Sequence, residues 1–256
     1  MRFDPVICGV DASQESLDAA RQAARIVEPD GRLILVAVAE LEVAAQAGFA
    51  ASMVVNELEQ EAQEALDQAE AAVGETVKPE TRLVTGPIAS TLLAEVERER
   101  ASLLVLGTHG HGRATGILLA RASTSMLHDA PCAVLIARTP ANDPAFPATI
   151  AVGLDGSPAS KAAEAAARAL ADRFGSSVRR LVATVGKQLD LDALQVEHAD
   201  LEISDAKPKE ALLAVAQSVD LLVVGRRGVH GLKSLGSVSE RVAHEAACSV
   251  LVVRGG

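Results

Sequence analysis

Three short segments occur twice in this chain, in the same order. ICGVDAS at residues 7–13 returns as AVGLDGS at 151–157, LLVLGTHG at 103–110 returns as LLVVGRRG at 221–228, and CAVLIAR at 132–138 returns as CSVLVVR at 248–254. The offsets of 144, 118 and 116 residues make the second copy shorter, with most of the loss in its middle. Such a duplication divides 256 residues into two similar folding units, each within the ~100–200 residues of an ordinary domain. Between the copies, residues 139–149 read TPANDPAFPAT. Its prolines and lack of periodicity mark a linker. The expected units are residues 1–138 and 148–256, joined by residues 139–147.

Each copy alternates apolar runs with helical patterns. In the first, strands are expected at Val6–Val10, Leu33–Ala39, Val77–Val84, Leu103–Leu106 and Ala133–Ala137. Helices are expected over Ser13–Val27, Asn56–Ala72, Ile88–Glu99 and Ser123–Leu127. The second copy follows with Thr149–Leu154, Ala159–Phe174, Val178–Val185, Ala199–Ser204, Lys209–Gln217, Leu221–Val224, Ser237–Glu245 and Ser249–Val253. Strands that are apolar throughout, rather than alternating, fit a parallel sheet covered on both faces. The fold class is therefore α/β, with two tandem doubly wound domains of about five parallel strands each.

Composition removes several function classes. Hydrophobic residues make up 49% and charged residues 23%, which suits a packed core and argues against disorder. No apolar run reaches the ~18 residues of a membrane span. Trp and Tyr are absent and only four Phe are present, so the stacking platforms of a single-strand nucleic-acid surface are missing. The net charge of −10 also opposes DNA binding. The N-terminus meets acids at Asp4 and Asp11, so no signal peptide is expected. With three cysteines at no paired spacing, this points to a reducing cytoplasm. Cys8, Cys132 and Cys248 read as small buried hydrophobes.

In an open parallel sheet, ligands bind beyond the carboxyl ends of the strands, where the strand order reverses. Both copies carry unusual residues there. Asp11 or Asp155 follows the first strand, and Gly107-Thr108-His109-Gly110 or Gly225-Arg226-Arg227-Gly228, preceded by Val224, follows the fourth. Glycines admit close backbone approach, and successive N–H groups make an anion-binding concavity. In the second copy the loop ends in Gly236-Ser237-Val238-Ser239-Glu240 and enters a helix, whose N-terminus suits phosphate. Structural roles remain open beside these. Ser237 and Glu240 form a capping box by themselves, and the two aspartates can serve the turns before Ser13 and Ser157. His109-x-His111 is a poor metal set, and no catalytic cluster, nucleophile elbow or Walker lysine is present.

These motifs resemble the universal stress protein family, and two copies in one chain resemble its tandem members. The resemblance implies a Rossmann-like fold of the adenine-nucleotide-hydrolase type. It also implies binding of ATP, or of AMP or cyclic AMP, with at most slow hydrolysis. The family pattern Gly-x2-Gly-x9-Gly-(Ser/Thr) is met in part. In the first copy Gly107 and Gly110 fit, but the last pair falls on Ala120 and Arg121. In the second, Gly228 and Gly236 are separated by seven residues rather than nine. By the same resemblance Val38 and Val185 meet the adenosine, although each is equally a core residue. A divalent ion such as Mg2+ would arrive on the phosphates.

Charge ranks the two copies. Residues 1–140 hold 11 Lys/Arg against 20 Asp/Glu, whereas residues 148–256 hold 13 of each. The second loop also has Arg226, Arg227 and Lys233, and nearby cations outweigh acids beyond a Debye length of ~8 Å. The second copy is therefore the preferred nucleotide site. The six acids of Asn56–Ala72 read as a solvated helix face or a docking surface. The last strands lie at sheet edges in the family's strand order. The resemblance thus implies an intramolecular pseudo-dimer and leaves a homodimer open. The function expected is a cytoplasmic stress sensor or regulator that binds an adenine nucleotide. The alternative is a nucleotide-free scaffold working through protein contacts.

Overall fold

The computed structural model describes residues 1–40, 51–74, 77–108, 124–138, 145–184, 201–226 and 237–255. The chain divides into two compact units, Arg2–Arg138 and Thr139–Gly256. The first contains strands β1 (Val6–Gly9), β2 (Leu33–Ala39), β3 (Glu80–Thr85), β4 (Leu103–Gly107) and β5 (Ala133–Ala137). Its helices are α1 (Gln14–Ile26), α2 (Ala51–Val73) and α3 (Ile88–Glu99), with a further helical stretch over 124–129. The strand order is β3-β2-β1-β4-β5, and every pairing is parallel.

The second unit contains β6 (Thr149–Leu154), β7 (Ser177–Ala183), β8 (Leu201–Ser204), β9 (Leu221–Arg226) and β10 (Ser249–Arg254). The helices are α4 (Pro158–Phe174), α5 (Pro208–Val215) and α6 (Ser237–Glu245). The order β8-β7-β6-β9-β10 repeats that of the first unit, again all parallel. The α/β class and the tandem five-stranded sheets are as the sequence predicts. In each unit the order reverses between the first and fourth strands, which sets the switch point beside β1 and β4, and beside β6 and β9.

The strands are buried because both sheet faces are covered. All residues of β1, β4 and β5 are buried. Most element ends agree with the periodicity, and the differences have local causes. Helix α2 starts five residues before Asn56. Strand β3 starts at Glu80 rather than Val77, because Pro79 has no N–H to give to a ladder.

The edge strand β3 is fastened by ions. Arg32 pairs with Glu80 at 2.7 Å and Glu99 at 3.0 Å, and Arg82 pairs with Glu99 at 2.7 Å, Glu80 at 3.1 Å and Glu95 at 3.2 Å. The network ties β3 to α3 and puts charge on the edge, which discourages strand addition. Hydrogen bonding to Arg32 holds Glu80 below the usual carboxylate value of 4.5, and Arg82 does the same for Glu99. A carboxylate lowered in the folded state stabilises above its unfolded pKa, and that contribution is lost as pH falls through the folded value. The urea midpoint should therefore drop as the pH is taken down from the ordinary carboxylate value of 4.5 through the lowered folded-state values. The double variant Arg32→Met/Arg82→Met should start lower at neutral pH and show a shallower acid limb; an unchanged limb would remove the network from the account.

Candidate functional site

The two units build the same turn after their first strands. The Ser13 amide and hydroxyl both donate to Asp11 Oδ1, at 3.2 and 2.6 Å. Ser13 caps α1 by accepting from the Ser16 amide at 3.1 Å, and the Asp11 amide donates to Ser16 Oγ at 3.2 Å. In the second unit the Ser157 amide donates to Asp155 Oδ1 at 3.0 Å, Ser157 accepts from the Ser160 amide at 3.1 Å, and the Asp155 amide donates to Ser160 Oγ at 3.4 Å. The serines thus do the capping, and each aspartate spends one oxygen on the turn. The two aspartates differ in exposure. Asp11 Oδ2 is buried and has no hydrogen-bond partner among the described residues. Asp155 is exposed.

The glycines that end the fourth strands answer to helix packing. A Cβ on Gly107 would stand 2.9 Å from the Glu15 carbonyl carbon and oxygen and 3.0 Å from the Ser16 nitrogen. A Cβ on Gly225 would stand 2.5 Å from the Ala159 carbonyl carbon and 2.8 Å from the Ser160 nitrogen. The first turns of α1 and α4 therefore press onto β4 and β9 at these points. Both glycines are needed for packing whether or not a ligand approaches them.

A cavity of about 320 Å³ opens at the carboxyl ends of β1 and β2 in the first unit. It is lined by the end of β1 and the turn after it, Gly9 to Ala12, by Val36 to Glu40, and by residues of α2 and α3. Asp11 and Val38, singled out separately in the sequence, line it together. Leu58, Ala62 and Ala65 of α2 face it, as do Ile88 and Leu92 of α3. This volume lies at the lower end of the ~300–1,000 Å³ of small-molecule sites, and the mostly apolar lining is typical of them.

The family model for the universal stress protein family matches residues 2–138 and 179–254. A universal stress protein of Mycolicibacterium smegmatis is 31% identical over 97% of this chain and 96% of its own length. One of Mycobacterium tuberculosis is 31% identical over 63% of this chain and 64% of its own. The chain belongs to the universal stress protein family. The crystal structure of a universal stress protein from Archaeoglobus fulgidus has the same fold, with a TM-score of 0.79 over 100% of this chain and 97% of that one, at 19% identity.

The universal stress protein residues expected in the second unit are only partly described. Val224 and Ser239 are buried, Val238 is half-buried, and Arg226 ends β9, half-buried. Ser237 begins α6, but its side chain lies outside the described residues, as do Val185, Arg227, Gly228, Gly236, Gly110, Arg121, His109 and His111. Register gives Val38 a different counterpart from Val185. Gly9 pairs with Val36 and Gly153 with Leu181, so the residue matching Val38 is Ala183. Among the described residues, no three His, Cys, Asp or Glu are placed to hold a metal ion, and no helix is long and apolar enough to cross a membrane. Cys8 and Cys248 are buried and Cys132 is half-buried, none in a disulfide. Burial, then the charge of Asp11, pushes the Cys8 thiol far above its usual range, so it is an inert core residue.

Sequence reasoning missed Glu40, Glu61 and Glu64, which all line the cavity. Glu61 and Glu64 belong to the acidic stretch read as a solvated face or a docking surface. They are exposed, yet they flank the Leu58–Ala62–Ala65 stripe at helical spacing. Glu40 directly follows β2, and its position two residues after Val38 on one strand face was the available signal.

Glycine packing gives a direct test. Gly225→Ala should destabilise the protein by about 1–3 kcal/mol through overpacking. Gly107→Ala should cost less, because its nearest backbone atoms are 2.9 Å away rather than 2.5 Å. Urea denaturation ranks the pair, and equal midpoints would remove helix packing as the reason for these glycines.

Proposed function

We propose that this universal stress protein binds an adenine nucleotide as a cytoplasmic sensor or regulator, with little or no catalysis. The nucleoside end enters the cavity of the first unit. The observation that carries this reading is the meeting of Asp11 and Val38 in one cavity of about 320 Å³, together with the buried, unpartnered Asp11 Oδ2. A buried carboxylate oxygen without a donor costs more than about 1–3 kcal/mol. A ribose hydroxyl or a base amine supplies that donor, while Val38, Ile88 and Leu92 supply apolar contact in place of the absent Tyr and Trp. By the family pattern the phosphates fall to Gly110 and Arg121, with any Mg2+ carried on them.

The charge balance of the two halves ranks the second one first, and its candidates are Asp155, Gly225, Arg226, Arg227, Gly228, Gly236 and the Ser237-Val238-Ser239 turn. The cavity favours the first. Titration calorimetry of the full chain with ATP, AMP and cyclic AMP separates them. Asp11→Asn keeps a turn acceptor but loses the charge. It should weaken binding about tenfold or more, the value of one charge-assisted hydrogen bond, while Asp155→Asn leaves affinity unchanged. The reverse result moves the site to the second half. No heat from any of the three nucleotides in the unmodified protein leaves the nucleotide-free scaffold.

A further inference from the structure

The Ser13 hydroxyl makes two hydrogen bonds at once. It accepts from the Ser16 amide at 3.1 Å, which caps α1, and it donates to Asp11 Oδ1 at 2.6 Å. In the second unit the Ser157 hydroxyl accepts from the Ser160 amide at 3.1 Å, and the bond to Asp155 Oδ1 comes from the Ser157 amide at 3.0 Å. Capping the helix and holding the aspartate are therefore separable tasks. Among the described residues the Ser13 side chain performs both, and the Ser157 side chain performs the first.

The first turn is also bound from its far side. Ser16 Oγ donates to the Ser13 carbonyl at 3.0 Å and accepts from the Asp11 amide at 3.2 Å, so one side chain ties both ends of the turn. Between those ends Ala12 has a φ of 61°, where the second unit has Gly156 at 77°. This left-handed conformation costs a residue that carries a Cβ and is open to glycine. Such strain persists where the surrounding bonds over-determine the backbone. Ala12 lines the cavity beside Asp11, so the strained turn is the one that faces the cavity.

A carboxylate turns about its last side-chain bond in a broad, twofold well. With both donors of Ser13 on Oδ1, the two oxygens of Asp11 are no longer equivalent: Oδ1 is engaged, and Oδ2 is left buried without a partner. We infer that Ser13 is a positioning residue for the ligand of this cavity. Its hydroxyl fixes the Asp11 carboxylate, so that Oδ2 is set in advance to accept from a ribose hydroxyl or a base amine. This rests on the reading that the cavity takes the nucleoside end, and it adds the side chain that orders the acceptor. Without the hydroxyl the carboxylate is free to rotate, and the ligand has to order it on binding.

The test is calorimetry of the full chain with AMP and ATP, at a temperature where circular dichroism shows every variant folded. Ser13→Ala should weaken both nucleotides about fivefold, the scale of one neutral hydrogen bond, because they share the nucleoside end. Ser13→Thr keeps the hydroxyl and should restore affinity to within about twofold. Ser13→Gly loses the hydroxyl at little cost to the helix cap and should match Ser13→Ala. Ser157→Ala removes the equivalent cap and should lower the melting temperature without changing affinity. In an Asp11→Ala background Ser13→Ala should add no further loss, because it acts through the aspartate. Unchanged affinity in Ser13→Ala and Ser13→Gly, an equal loss with and without the Asp11 carboxylate, or a matching loss in Ser157→Ala overturns the positioning role and leaves nucleotide binding standing. Failure of the unmodified protein to bind either nucleotide overturns the reading of the cavity, and the positioning role with it.

Discussion

The first turn of α1 lies so close to the end of β4 that no side chain fits between them, and α4 and β9 repeat the contact. Backbone against backbone at this distance fixes where the helix begins. The start of the helix in turn fixes Ser13, and Ser13 fixes the Asp11 carboxylate through two hydrogen bonds. The aspartate therefore stands at the switch point because a glycine four strands into the unit leaves room for the helix that holds it. A Gly-rich loop after such a strand is readily taken as a phosphate cradle. Here its first glycine is already required by packing, so the motif's functional content rests on the residues after it.

Much of this architecture was legible in the amino-acid pattern. Leu33–Ala39, Ile88–Glu99, Ala133–Ala137, Thr149–Leu154 and Ser237–Glu245 have the same limits in periodicity and in structure, because buried parallel strands and amphipathic helices leave sharp apolar edges. The duplicated ICGVDAS and AVGLDGS segments likewise placed both aspartates after the correct strands. What the pattern could not convey was distance across the fold. Nothing near Gly107 in sequence announces that Glu15 backbone fills the space of its missing side chain. Similarly, an acid at helical position 61 or 64 looks the same on a solvated face as at a cavity mouth. The register of β7 is a subtler case. Val185 resembles Val38 as the last apolar residue of its run, but pairing with β6 shifts the equivalent position to Ala183.

The two halves share a frame and differ in what surrounds its open end. In the first, α2 supplies the Leu58, Ala62 and Ala65 wall, and Asp11 keeps one oxygen buried beside it. In the second, the aspartate is exposed and alanine stands where the first half has Val38. The first half carries excess acid and the second is neutral. A duplicated domain need not keep two copies of one site.

That division accounts for an apparent conflict between charge and shape. Net charge is a long-range quantity, screened within a Debye length of ~8 Å in ordinary salt. It governs how readily an anion approaches a domain, and by that measure the second half is favoured. A nucleoside is bound at contact distance, by a wall of fitting shape and by acceptors for its hydroxyls and amine, and by that measure the first half is favoured. Acids around the first cavity are consistent with both statements if the end of the ligand that enters is the uncharged one. Asp11 Oδ2, buried and without a donor among the described residues, would then accept from the bound part of the molecule.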